Sequence, residues 1–381
     1  MTWRKVCIGD LGRVVTGDTP PKKNPEYYGS AYPFIKPTDM RVGERFTRAY
    51  EECYSEEAYE KYSHKLIPTG ATAVVTIGSI GQKLTLIETP SFVNQAVNAV
   101  IPDDSRFDSL FVYYLLRHNL HLVKGADTGA SSGRENVSKS NFSGLEVMAP
   151  ADKDQQARIA GILGGYDDLI ENNRRRIALL EESARLLYRE WFVHLRFPGA
   201  GPLCSSTGLP AGWRRAPLEE ALFLQRGFDL PNISRVPDGV PIYASSGVAG
   251  FHNSAKADGP GVVTGRSGTL GVVHYVDQNY WPLNTSLWVK EFRAVTPAFA
   301  YFLLAEMDLA QLNSGSTVPT LDRKVAHAQL VTIPSVDAVA EFEERVSLVL
   351  KKIKALEKLN VTATEARDSL LPKLMSGEIA V

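Results

Sequence analysis

Two kinds of hydrophobic pattern alternate along the chain, and the alternation occurs twice. Up to about residue 150, short apolar runs at 8–15, 32–35, 71–77 and 84–87 are broken by turn residues. The clusters GDTPPKKNP (17–25) and GASSGREN (129–136) read as loops, and one helix is expected over 109–122. From 155 to 192 the period changes. Apolar positions recur at alternating steps of three and four, with one extra step after Asn173: Ile159, Ile162, Tyr166, Leu169, Asn173, Ile177, Leu180, Ala184, Leu187 and Trp191. That pattern predicts one long helix, ~48 Å from Ile159 to Trp191 at 1.5 Å per residue. A Pro/Gly/Ser linker occupies 197–213, and a second strand-rich segment runs to about 334. A second long helix is predicted from about 339 to 376, with the stripe Phe342, Val346, Val349, Ile353, Leu356, Asn360, Ala363, Arg367, Leu370 and Leu374.

The halves repeat each other at a spacing of roughly 187 residues. VVT at 74–76, SIG at 79–81 and FVYYLL at 111–116 are matched by VVT at 262–264, TLG at 269–271 and FAYFLL at 299–304. Two similar α+β units on two similar helices suit a reader of a pseudo-symmetric object, and duplex DNA is such an object. Asn173 and Asn360 each sit at a core position near the middle of a stripe. A buried Asn fixes coiled-coil register, because its amide needs a partner; in an antiparallel pair both would lie near the crossing centre. The other reading makes them solvated flank positions.

Composition bounds the function. The 381 residues, 44% hydrophobic and 22% charged, allow two domains with real cores. No apolar run reaches membrane-spanning length and the start lacks a signal-peptide core, so a cytoplasmic protein is expected. Cys7, Cys53 and Cys204 are odd in number and lack CxxC spacing, which disfavours a disulfide framework or structural zinc. The net charge of −1 is low for a protein that grips phosphate unaided. A DNA reader of this charge must concentrate its basic residues on one face or borrow the grip from a partner.

Strings with a catalytic look fail on spacing. TIGSIGQKLT (76–85) is not a phosphate-binding GxxxxGK[ST], and GRSGTLG (265–271) is not the dinucleotide GxGxxG. Both read as strand–turn–strand elements at equivalent places, where glycine permits positive φ. The histidines, including His64, His118, His121, His252 and His274, form no HExxH pair, and no NPPY-like string for base methylation occurs. No catalytic residue, metal site or bound cofactor is expected.

Candidate DNA contacts recur in both halves. The loop 129–142 matches 315–326: small hydroxyls and free backbone N–H groups suit phosphate oxygens, with Arg134, Lys139, Ser316, Thr317, Arg323 and Lys324 as side-chain candidates. The equivalent first turns carry Lys22 and Lys23, and Gln225 and Arg226, residue types that read purine edges. In the glycine-rich turns, Ser79 and Gln82 of the first half stand where the second half has Arg266, as expected if the halves read different sequences.

Four segments in order resemble the specificity subunit of a type I restriction–modification system. QQARIAGILGGYDDLIENNRRRIALLEESARLLYREWF (155–192) resembles the central helix of that family, and LLPKLMSGEI (370–379) its closing segment. WRKVCIGDLGRVVTGDTP (3–20) and WRRAPLEEALFLQRG (213–227) resemble the starts of its two target recognition domains. The resemblance implies two strand-rich recognition domains (1–150 and 213–334), joined by spacer helices (151–196 and 335–381) that form an antiparallel coiled coil, with a linker at 197–212. It also implies a non-catalytic subunit that reads a bipartite site in double-stranded DNA, its helices serving as ruler and docking platform. The implied partners are two methyltransferase subunits carrying S-adenosylmethionine and a restriction/translocase subunit. One departure is AEFEERVSLVLKKIKALEKLN (340–360), which is less like the family helix than its first-half counterpart. On the residues alone, a non-enzymatic pair of protein- or carbohydrate-binding modules on a coiled coil stays open.

Overall fold

The computed structural model describes residues 3–127, 135–199 and 201–381. The chain divides into two compact units, Met1–Asn172 with Leu359–Val381, and Asn173–Lys358. The first contains β1 (Trp3–Cys7), β2 (Gly12–Thr16), β3 (Tyr28–Ile35), β4 (Glu52–Tyr54), β5 (Thr72–Val75), β6 (Leu84–Leu86), β7 (Phe92–Val93), β8 (Val97–Pro102) and β9 (Glu146–Pro150). Its short helices are α1 (Glu56–Tyr62), α2 (Ser109–His118), α3 (Leu120–Gly125) and α4 (Lys139–Ser143). The long α5 (Lys153–Tyr188) follows, ending in one π-helical turn (Arg189–Val193). The second unit contains β10 (Arg214–Pro217), β11 (Leu222–Arg226), β12 (Val240–Ala244), β13 (Gly247–His252), β14 (Gly261–Gly265), β15 (Val273–Val276), β16 (Trp281–Pro282), β17 (Ser286–Phe292) and β18 (Leu330–Ile333). With them come α6 (Leu218–Ala221), α7 (Pro297–Glu306) and α8 (Arg323–His327), and the chain closes with α9 (Val336–Met375).

The strand orders of the two modules match one for one. Sheets β2-β8-β5-β6, β4-β3-β7 and β1-β9 are answered by β11-β17-β14-β15, β13-β12-β16 and β10-β18. In each four-stranded sheet one inner strand, TAVV in β5 and GVVTG in β14, is buried along its whole length, because both faces are covered. Helix α2 lies on one face with every residue from Phe111 to Leu116 buried, and Asp108 caps it by accepting from the Phe111 N–H at 2.7 Å. The fold is α+β, duplicated, with a long helix after each strand-rich module.

In the second unit α5 and α9 run antiparallel. Tyr188 and Trp191 pack on Phe342, with ring centroids 5.7 and 6.1 Å apart, while the earlier Glu181 lies beside the later Glu357. The stripe expected for α9 is largely the buried one: Phe342, Val346, Ile353, Leu356, Ala363, Arg367 and Leu374 are inside. The first part of α5 departs from expectation. Ile162 and Leu169 are 38% and 37% exposed, and Leu163, Asp167 and Ile170 are buried instead. A straight helix drifts against a strict heptad, and a charged residue at a core position masks the true phase. Asn173 is buried and Asn360 half-buried. Counted from the helix starts, however, Asn173 is equivalent to Leu356 and Asn360 to Ile177, so the two are not symmetry mates.

The charged core position explains how the first unit is held. Asp167 and Arg367, 5% and 2% exposed at their side chains, form an ion pair between α5 and α9. The Tyr114 hydroxyl of α2 donates to the other Asp167 oxygen at 2.5 Å, and Arg367 Nε donates to Asp368 at 2.9 Å. Partners on every side offset the desolvation of both charges. The equivalent positions in the second unit are Leu350 and Ala184, both apolar and buried. Arg367→Met alone should therefore cost roughly 3–5 kcal/mol by stranding Asp167, whereas Asp167→Leu with Arg367→Met should recover most of that loss. Urea unfolding of the three chains measures the difference.

The second module has its own polar pin. A bulge between Phe223 and Leu224 takes the Leu224 N–H out of the β-ladder, and that N–H donates to His327 Nε2 at 2.9 Å. Nε2 must be unprotonated to accept, and burial lowers the imidazole pKa. Because the folded pKa is depressed, the stabilisation is complete above the unfolded value of about 6.5 and is lost as pH falls below it. The unfolding midpoint should drop between about pH 7 and 5. In His327→Gln the drop should be shallower, which thermal melts across that range would read.

Candidate nucleic-acid interface

Each module gathers loops from distant parts of the sequence at one end of its four-stranded sheet. In the first, the turn after β2 is pulled against the β7–β8 connection: Gly17 N–H donates to Val97 O at 3.1 Å and Asp18 N–H to Val93 O at 3.0 Å. A Cβ on Gly17 would lie 2.1 Å from Val93 O, so only glycine permits this approach. Thr16, Asn98 and Thr76 then link the ends of β2, β8 and β5. Thr16 Oγ1 donates to Asn98 Oδ1 at 2.6 Å, and Asn98 Nδ2 to Thr76 Oγ1 at 2.9 Å. The glycine turn after β5 is stitched to the segment before α4: Gly78 N–H donates to Glu135 O, and Val137 N–H to Thr76 O.

The second module repeats the arrangement. Gly227 N–H donates to Ser286 O at 3.1 Å and Phe228 N–H to Pro282 O at 2.8 Å; a Cβ on Gly227 would meet Leu283 O at 2.2 Å. Gly268 N–H donates to Pro319 O, and Leu321 N–H to Arg266 O. The glycine turns use positive φ at the same places, Gly78 and Gly81 at +86° and +72°, Gly268 and Gly271 at +91° and +83°.

On this frame the sequence candidates fall unequally. Lys22 and Lys23 lie exposed on the first turn, with no hydrogen bond or ion pair among the described residues. Gln82 is exposed and Ser79 half-buried on the glycine turn, and Lys139 begins α4, exposed. Arg134 lies outside the described residues. In the second module Arg226 and Arg266 are brought together. Arg226 donates to Asp229 Oδ1 at 3.3 Å, Asn284 Nδ2 donates to the same oxygen, and Arg266 Nη1 donates to Asn284 O at 3.3 Å. Gln225 is half-buried beside them on β11. Ser316 and Thr317 are exposed at the tip of a loop held by Asn313, whose Oδ1 accepts from the Gly315 and Thr320 N–H groups at 2.9 Å.

Arg323 does not join this cluster. Its guanidinium lies over Phe223 at 5.2 Å, with Arg293 at 5.1 Å from the same ring, near the start of β11 rather than its end. Lys324 is exposed on the same short helix. Sequence reasoning missed Asp229 and Asn284, which join the two arginines, and in the first module Asn98 and Gln95, the latter accepting from the Thr19 hydroxyl on the first turn. The available signal was an amide side chain in the short connection before β8 and before β17. Among the described residues no group of three or more His, Cys, Asp or Glu is placed to hold a metal, and no helix is long and apolar enough to cross a membrane.

Residues 1–182 match the family described as the type I restriction modification DNA specificity domain. Over its whole length the chain is 24% identical to the type I restriction enzyme MjaIX specificity subunit of Methanocaldococcus jannaschii, covering 94% of it. Over 39% of its length it is 32% identical to the HindI specificity subunit of Haemophilus influenzae, covering 32% of that protein. Its fold is that of the crystallised type I restriction–modification S subunit from M. genitalium: TM-score 0.67, 19% identity, 98% of this chain and 96% of that one. The matched domain is answered strand for strand in the second module, and along the whole chain the similarity in sequence is to a type I restriction enzyme specificity subunit.

Proposed function

We propose that the chain reads a bipartite site in double-stranded DNA, each module taking one block of bases through its gathered loops. The observation that carries this is the pairing of one frame with two sets of side chains. The loop junctions are equivalent in both modules, while the groups on them differ: Lys22, Lys23 and Gln82 in one, Arg226 and Arg266 in the other. A constant frame with variable tips suits two different sequences. Arginine donates in a fork matched to guanine O6 and N7, and glutamine matches adenine. The long helices are proposed as the spacer between blocks and the docking surface for two methyltransferase subunits in the cytoplasm. Those subunits would bring S-adenosylmethionine, and a restriction/translocase subunit would complete the assembly. This division of labour fits a net charge of −1, because partners can supply sequence-independent phosphate attraction.

Mapping adenine methylation in a host expressing the chain with its cognate methyltransferase should give two short blocks around a fixed gap, absent with the methyltransferase alone. No new methylation from an assembled complex would sink the reading in favour of a protein- or carbohydrate-binding module. Arg266→Ala should relax one block only, by ~1–3 kcal/mol at the position it reads, and leave the other block intact. Lys22→Ala with Lys23→Ala should relax the other block by a similar amount and leave the block read through Arg266 intact. Binding titrations against sites altered in one block at a time separate the two variants.

A further inference from the structure

The modules differ most in one place, where the first is filled with arginine and the second is hollow. In the first unit three guanidinium groups pack around α2 and the helices behind it. Arg367 is the buried partner of Asp167. Arg117 reaches Asp368 and the Tyr113 hydroxyl, both at 3.4 Å. Arg45, from the long β3–β4 connection, pairs with Asp168 and lies over the Phe46 ring at 4.6 Å.

None of the three has a counterpart in the second unit. Aligning FVYYLL on FAYFLL puts Ala305 in place of Arg117, and counting from the helix starts puts Ala184 in place of Arg367. Strands β12 and β13 are joined by a two-residue turn at 245–246, so nothing corresponds to Arg45. Ala305 borders a cavity of about 600 Å³. Its wall includes Tyr243, Tyr301, Phe302 and Ala305, with Glu181 and Lys354 from the long helices.

The charges at this cavity are mostly spoken for. Lys354 pairs with Glu357 at 2.8 Å, Arg189 with Glu306 at 2.9 Å, and Arg185 with Glu182 at 3.0 Å. Asp308 accepts from Gln311 Nε2 at 2.7 Å. Glu181 is the exception: it has no hydrogen bond or ion pair among the described residues. Its carboxyl, at the exposed rim of the cavity, has its pKa raised by partial desolvation and by Glu357, against the opposing pull of Arg185 and Lys354, neither of which bonds to it.

We propose that this cavity is a binding site for a guanidinium group, held between the Glu181 carboxylate and the aromatic wall of Tyr243 and Tyr301. A planar cation meets both demands of such a lining: charge-assisted hydrogen bonds to the carboxylate and a favourable face-on approach to tyrosine rings. The first unit satisfies the equivalent space from its own chain. The second leaves it for a ligand, and this role is independent of DNA reading.

The test titrates the full chain with ethylguanidinium chloride at constant ionic strength, followed by NMR. Saturable one-site binding is expected, at least tenfold weaker for the neutral isostere propylurea and for Glu181→Gln, with the melting profile of that variant unchanged. Ala305→Arg, which restores an arginine of the first module, should abolish binding and raise the melting temperature. Absence of saturation, equal binding of propylurea, or undiminished binding to Glu181→Gln would overturn the proposal. Agmatine and N-acetyl-argininamide distinguish the source. Tighter agmatine means a free small molecule and tighter capped arginine means a protein side chain; either ordering supports the site.

Discussion

A carboxylate buried on α5 obliges much of the first unit to be where it is. Asp167 cannot stay ionised inside a protein without partners, and its partners come from far along the chain: Tyr114 of α2 and Arg367 of α9. Satisfying that one group draws together the strand-rich module, the first part of one long helix and the last part of the other. Arg367 in turn engages Asp368, which also receives Arg117, so the polar network extends outward from the buried pair. The second unit solves the same packing problem with Leu350 and Ala184 and needs no such network. One architecture thus rests on electrostatics in one copy and on apolar contact in the other.

The recognition face rests largely on backbone contacts, with a few side chains such as Asn98 and Asn313 tying strand ends and loops. Gly17 and Gly227 let a turn approach a neighbouring carbonyl more closely than any Cβ allows, and main-chain hydrogen bonds fasten the remaining loops to it. Tip side chains such as Lys22, Lys23 and Gln82 are then free of structural duty. Specificity can change there without loosening the frame, since base contacts specify while the scaffold positions.

Much of this was legible in the sequence. VVT and the FVYYLL/FAYFLL pair exposed the duplication because they form the inner strands and the buried helices, where packing tolerates little. The α9 stripe was readable, Arg367 included, because its neighbours at steps of three and four are apolar. The first part of α5 was not, because Asp167 stands where a hydrophobic residue signals the phase and Ile162 and Leu169 supply a false one. Arg226 and Arg266 were named as candidates by residue type and position. Their meeting at Asp229 and Asn284 was not, nor was the diversion of Arg323 onto Phe223, since both depend on contacts between segments distant in sequence. The cavity was invisible for a different reason: Ala305 borders it where the first unit has Arg117, and a small residue in a helix attracts no notice.

The distance along the chain between Asp167 and its partner also has a cost in time. The two are 200 residues apart, so a ribosome adding ~5–20 residues per second makes Arg367 roughly 10–40 s after the acid it neutralises. During that interval the nascent first unit holds strands, α2 and half a helix around an unmatched charge, with apolar surface that α9 has yet to cover. The second unit, made later and held by apolar contacts, faces no equivalent wait for a counter-charge. The first unit can therefore complete its core only once the residues of α9 that belong to it have been made.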